Sequence, residues 1–197
     1  MTLSNLKPRI LSDVLENVDE LYSYINNKDN PRISEGTGYF AYFLDMPQRV
    51  RDRLIGIAIS ETMDQEIDFT PKDIGFHIAR YTLDSNFPPK LDPHTDKFVE
   101  YPCVIISIQL DSNISWPLAV NEDVYELDRN QAIIFSGSHQ IHWRPEREFK
   151  DGEYIDVLLC TIMDTSEQLT KKHLDDMERE RINFTFNNEV FKRYCLS

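Results

Sequence analysis

Cysteine is scarce in this chain. Cys103, Cys160 and Cys195 are an odd count of 3 in 197 residues, with no CxxC spacing among them. That pattern argues against a disulfide framework; two of the three sit in apolar, strand-like runs, where buried thiols of a reducing compartment are expected. Basic residues are also in short supply: 21 Lys and Arg against 34 Asp and Glu leave a net charge of −13. A field of that sign repels phosphate backbones and anionic membrane surfaces, so neither duplex nucleic acid nor a membrane is an expected partner. No apolar stretch approaches the ~18 residues that a membrane-spanning helix needs. The opening segment MTLSNLKPRILSDVLENVDE has no long apolar run, so no secretory leader is expected and a cytoplasmic location is. Repeats and low-complexity tracts are absent. The length suffices for one domain, 1–197, with a sizeable core, and 41% hydrophobic with 28% charged residues is ordinary for a globular protein.

What is present falls into three parts. Ile10, Val14, Val18, Leu21 and Ile25 recur at helical spacing, which predicts a helix near 9–27. GYFAYFL, from residue 38, is a short aromatic strand candidate. Asp45 is a candidate cap for a second helix, with Pro47 in its first turn, Val50, Leu54, Ile57 and Ala58 inward and an end near Met63. From residue 73 the period becomes two. IGFHIARYTL, CVIISIQL, PLAV, VYELDRNQAIIF, HQIHWRP and YIDVLLCTIM read as strands punctuated by Gly, Asn, Asp and Pro, with Val104, Ile106, Ile108 and Leu110 sharing one face. Thr165 and Gln168 have capping-box spacing for a last helix near 166–180. Helical support over about 1–72, a β core of roughly eight strands over about 73–164 and a helical segment over 165–197 make an α+β protein built on a sandwich or barrel.

One short segment bears chemistry. LDPHTDKF places His94 and Asp96 at i and i+2. On an extended chain those side chains point to one side, and Pro93 directly before His94 disfavours a helix. Histidine is rare here: His77, His94, His139, His142 and His173 are all of it. His139 and His142 lie just before the last strand, so either is a candidate third ligand. Two imidazoles and one carboxylate are the facial ligand set of non-haem Fe(II), which leaves three positions open. A second HxD, His173-Leu174-Asp175, sits in the charged stretch TKKHLDDMERER; on a helix its two side chains diverge, and it reads as a solvated face.

IARYTLDSNFPPKLDPHTDKF resembles the approach to the HxD motif in the Fe(II)/2-oxoglutarate-dependent oxygenases, in which a strand ending in Arg-Tyr or Asn-Tyr runs through a loop to the motif. LDRNQAIIFSGSHQIHWRPEREFKDGEYIDVLLCTIMD resembles their second half, and HWRP is similar to the prolyl-4-hydroxylase-like members. The resemblance covers about 75–164. It implies a double-stranded β-helix, a jelly-roll relative of the cupins, with flanking N- and C-terminal helices. It also implies iron held by His94, Asp96 and His142, with His139 a capping or supporting residue, and an oxidoreductase that consumes 2-oxoglutarate and O2. The expected reaction is dioxygenase chemistry, most simply hydroxylation, on an amino acid, a peptide or protein side chain, or a small metabolite.

The resemblance also implies a cation for the distal carboxylate of 2-oxoglutarate at the start of the last strand. This chain has KDGEYID there, with Glu153 and Asp156, which would repel a dicarboxylate. Arg144, i+2 from His142, shares the expected pocket face, and its planar fork suits a carboxylate; Arg147 and Lys150 are expected to be solvated. Tyr81 is the family-like hydroxyl donor to 2-oxoglutarate. His77 shares its strand face, Arg80 points away, and Trp116 and Trp143 are expected to pack. The acidic departure keeps two alternatives open: an iron oxygenase of this fold that does not use 2-oxoglutarate, and a metal-binding module with a degenerate site.

Overall fold

The structure, a computed structural model, describes residues 2–21, 33–34, 38–43, 46–83, 88–96, 100–166 and 168–187. Ten strands are described: β1 (Arg9–Leu11), β2 (Ile33–Ser34), β3 (Phe40–Phe43), β4 (Asp73–Thr82), β5 (Cys103–Ser112), β6 (Leu118–Val120), β7 (Asp123–Tyr125), β8 (Ala132–Ser136), β9 (His142–Trp143) and β10 (Tyr154–Met163). A 3-10 turn at Leu3–Asn5 and two long helices, α1 (Gln48–Asp64) and α2 (Lys171–Asn187), accompany them. The strands form a seven-stranded sheet in the order β1-β8-β5-β10-β4-β3-β2 and a three-stranded sheet in the order β7-β6-β9. Every pairing is antiparallel. A large and a small sheet joined in this way form a jelly-roll core, as the α+β expectation requires.

The period-two pattern decides what each face of the large sheet does. Val104, Ile106, Ile108 and Leu110 of β5 and Leu158, Cys160 and Ile162 of β10 point to one side, where Leu54 and Ala58 of α1 meet them in the main core. Leu54, Ala58 and Thr62 recur every four residues, which gives α1 one buried stripe. The alternate residues Ile105, Ser107, Phe135, Val157 and Leu159 point to the other side, toward the small sheet, and line a cavity between the two sheets. The outer face of the small sheet is covered too, since Ala119, Ile141 and Trp143 pack with Phe184 of α2.

Three expectations about local structure are corrected. Residues 9–11 form a strand on β8, and helical backbone begins only at 18, where Asn17 Oδ1 accepts the Glu20 amide. Tertiary hydrogen bonds account for the difference. The Asn130 side chain donates to Leu15 O and accepts from Leu15 N, both at 2.8 Å, and holds that segment out of a helix; Ile10 is 45% exposed, not on a core stripe. Ile25 and Asp45 lie outside the described residues. The last helix begins at Lys171, not 166, and Thr170, whose hydroxyl accepts the His173 amide, caps it in place of Thr165. VYELDRNQAIIF divides into β7 and β8 around a turn in which Asn130 takes φ 63°. No helix among the described residues is long and apolar enough to cross a membrane.

Candidate metal centre

His94 stands on no named strand, yet it pairs with β9 through an isolated antiparallel bridge: its amide donates to His142 O at 3.1 Å and the His142 amide donates to His94 O at 2.9 Å. Directly opposed residues in an antiparallel pair project to the same face. The two imidazoles therefore lie side by side, with ring centroids 4.1 Å apart. Asp96, two residues on, returns to that face, held by its amide on Gly137 O at 2.8 Å. One ligand atom from each of His94, Asp96 and His142 falls within 4.8 Å of the others.

The donor atoms have the right chemistry for a cation. His94 Nδ1 lies 2.8 Å from Asp92 O and His142 Nδ1 lies 3.1 Å from Gln140 O. A carbonyl only accepts, so each Nδ1 carries a proton and each Nε2 is the atom left to face Asp96. Those Nε2 atoms sit 3.7 and 3.6 Å from Asp96 Oδ1, too far for a hydrogen bond. Burial, then the neighbouring His142, pushes His94 down to about 4, so it is neutral at pH 7. Burial alone would raise the Asp96 carboxyl; His142 and then His94 outweigh it, and the group is lowered and ionised. Two imidazoles and one carboxylate thus converge, and a divalent cation fits the set.

Gly137 was not legible as part of this site. A Cβ there would stand 2.4 Å from Asp96 Oδ2 and 2.6 Å from Ile105 Cγ1. Gly137→Ala is expected to push the carboxylate off its position and weaken Fe(II) binding about 10- to 100-fold, as loss of a ligand's support does. Fe(II) titration of the purified variant measures this; unchanged affinity would show that Asp96 tolerates displacement.

The cavity beside the three residues is lined by His77 and Tyr81 of β4, which share one face as expected, by Tyr39 and by Arg144. Arg144 is only 5% exposed. Its Nη1 donates to Trp116 O, and its guanidinium lies 5.1 Å from the Trp116 ring centroid and 5.6 Å from that of Tyr81. Tyr81 is 2% exposed, and burial lifts its hydroxyl far above the usual phenol range, with Arg144 opposing. Burial also lowers His77, with Asp96 opposing.

The acidic residues of the last strand stand elsewhere. Asp156 is fully buried on the opposite face of β10, where Arg80 grips both its oxygens at 2.7 Å. Glu153 accepts from Arg147 at 3.1 Å and from the Lys150 amide at 2.9 Å. Neither lines the cavity. Arg147 is exposed, as expected, and also donates to Ser115 O at 2.9 Å. His139 faces away from the cluster. Its Nδ1 meets Ser138 Oγ at 2.8 Å, and its ring packs on His173, which lies on the helix α2 as expected but is half-buried rather than solvated. Trp143 packs under α2. Trp116 packs as expected but also holds Arg144, a role that nothing in NISWPL signals.

No protein-family model matches the sequence, and no curated relative does. Solved structures do match in fold. A prolyl-4-hydroxylase from Pseudomonas putida superposes with a TM-score of 0.59 at 14% identity over 83% of this chain and 96% of that one. A prolyl hydroxylase from Trichoplax adhaerens, in complex with a hypoxia-inducible-factor peptide fragment, gives 0.56 at 14% identity, covering 88% of each chain. HygX from Streptomyces hygroscopicus, with nickel, 2-oxoglutarate and hygromycin B bound, gives 0.56 at 11% identity over 84% of this chain and 86% of that one. The fold of this chain is therefore that of the prolyl-4-hydroxylase-like Fe(II)/2-oxoglutarate oxygenases.

Proposed function

We propose that this protein is a non-haem Fe(II)/2-oxoglutarate-dependent oxygenase, an oxidoreductase that hydroxylates an amino acid, a peptide or protein side chain, or a small metabolite. The observation that carries the reading is the convergence of His94 Nε2, His142 Nε2 and Asp96 Oδ1 at the mouth of a cavity that also contains a buried cation, Arg144. His94, Asp96 and His142 are the iron ligands in this reading, and Arg144 with Tyr81 receives the distal carboxylate of 2-oxoglutarate. When bound, iron with 2-oxoglutarate and O2 supplies the oxidative decarboxylation that yields succinate, CO2 and one oxygen atom for a substrate C–H bond.

The chain's own residues do the rest. The backbone carbonyls of Asp92 and Gln140 keep both histidines in the metal-binding tautomer. The apolar wall of Ile105, Leu118, Phe135, Val157 and Leu159 excludes water. The acidic start of the last strand motivated a reading without 2-oxoglutarate, but a cation is available on a different segment, and that supports cosubstrate use. Peptide and small-molecule ligands of the structural neighbours support a substrate of either kind here. Anaerobic addition of Fe(II) and then 2-oxoglutarate tests the proposal: a weak visible charge-transfer band is expected. Fe(II) binding without the band would favour a cosubstrate-free oxygenase, and no metal binding would favour a degenerate module.

A further inference from the structure

Arg144 poses a positioning problem. It follows β9, which is two residues long, so the sheet ladder does little to fix it. A guanidinium on a long side chain recognises a carboxylate well only when its plane is held. Trp116, from the segment between β5 and β6, contacts this arginine and its surroundings in several independent ways. Its carbonyl accepts from Arg144 Nη1, and its indole Nε1 donates to Pro145 O at 2.6 Å. The guanidinium carbon lies 5.1 Å from the Trp116 ring centroid. The indole in turn is wedged edge-on between Tyr81 and Phe149, at 5.0 Å from each and near-perpendicular, 82° and 83°. Trp116 and Arg144 are each 5% exposed. The neighbouring Ser115 carbonyl is held by Arg147, which also reaches Glu153 at the turn before β10.

We propose that Trp116 is the positioning residue of the cosubstrate anchor: it fixes the Arg144 fork and the Tyr81 ring in one orientation and so replaces the rigid last strand as the anchor's support. The inference rests on the 2-oxoglutarate reading above. It also accounts for Glu153 and Arg147. With the cation moved to the segment after β9, the start of β10 is free to carry an acid, and that acid braces the loop on which Trp116 stands. Arg144 Nη1 is committed to Trp116 O, so the remaining guanidinium donors meet the ligand's carboxylate.

The test is a double-mutant cycle read by 2-oxoglutarate binding, followed both by the charge-transfer band of the Fe(II)-loaded protein and by calorimetry. Trp116→Leu is expected to weaken 2-oxoglutarate about 10- to 50-fold, within the range that a misplaced positioning group costs, while Fe(II) affinity stays within about 2-fold. Trp116→Phe keeps an aromatic wedge but loses the donor to Pro145, and is expected to recover most of the affinity. In an Arg144→Ala background, Trp116→Leu should change 2-oxoglutarate binding by less than about 2-fold, because the group it positions is gone. A merely structural tryptophan would give additive losses and would lower Fe(II) affinity as well, and either result overturns the proposal. If Trp116→Leu does not fold, Trp116→Phe carries the same cycle, with a few-fold loss expected alone and none in the Arg144→Ala background. A wild-type protein that binds Fe(II) but shows neither band nor heat with 2-oxoglutarate overturns the functional reading itself, which is distinct from a normal wild type with an additive cycle.

Discussion

His142→Ala should abolish oxygenase turnover and weaken Fe(II) by more than the ~100-fold that loss of a supporting partner costs, since a ligand itself is removed. The physical case is the pairing of His94 and His142. They are bridged backbone to backbone, their rings are 4.1 Å apart, and both Nε2 atoms face one Asp96 oxygen. Deleting either imidazole leaves two ligands and no facial set. Asp96→Ala and His94→Ala should behave alike. The fold should survive, because Phe135 and the neighbouring apolar wall still close the cavity; the circular dichroism of the metal-free variants checks that. His173→Ala is the control from the other HxD and should leave Fe(II) affinity unchanged. Full activity in His142→Ala with loss in His139→Ala would transfer the third ligand to His139 and sink the assignment.

Arg144→Ala should weaken 2-oxoglutarate selectively. Removing one partner of a buried charge-assisted pair costs on the order of 2–4 kcal/mol, or roughly 30- to 1000-fold in affinity. Iron binding should survive, because Arg144 is not among the three converging residues. Arg144→Lys should rescue only in part, since a point charge on a flexible stem cannot make the fork's paired contacts or hold to Trp116 and Tyr81 at once. Three neighbours provide the comparison. Lys150→Ala, on the exposed turn, should be silent. Glu153→Ala should stay within a few-fold, because its carboxylate is spent on Arg147 and the Lys150 amide. Arg147→Ala should also stay within a few-fold: it braces the Ser115 carbonyl but does not line the cavity. A crippled Lys150→Ala with a normal Arg144→Ala would place the anchor in the turn. No effect from any of them would favour the oxygenase without 2-oxoglutarate.

Much of the site was legible because it depends on local direction. His94 and Asp96 are two residues apart on extended chain, and period two puts them on one face whatever surrounds them. The same alternation put His77 with Tyr81, sent Arg80 away, and assigned Val104, Ile106, Ile108 and Leu110 to one face of β5. The start of the helix near 9–27 failed for the opposite reason. Its apolar spacing was real, but the Asn130 side chain bonds the Leu15 backbone across 115 residues, and a local period carries no information about such a partner. The shift of the last helix start from 166 to 171 is a boundary matter, in which Thr170 rather than Thr165 supplied the oxygen.

By itself, then, the sequence determined the alternating pattern of strands, the HxD pair and the short roster of histidines from which a third member of the cluster could come. Tertiary structure decided which histidine meets the pair, because only the antiparallel bridge between 94 and 142 brings those rings together, while Ser136 and Ser138 hold His139 on the other side. It also settled the acidic last strand. Asp156 is buried against Arg80, 76 residues earlier, on the face away from the cavity, and Arg144 lines the cavity where Trp116 O accepts from it and the Trp116 and Tyr81 rings flank it. Side-chain direction along a strand is a property of consecutive residues, whereas the partner that neutralises a buried charge is chosen by which distant strands lie side by side, and only the folded chain contains that choice.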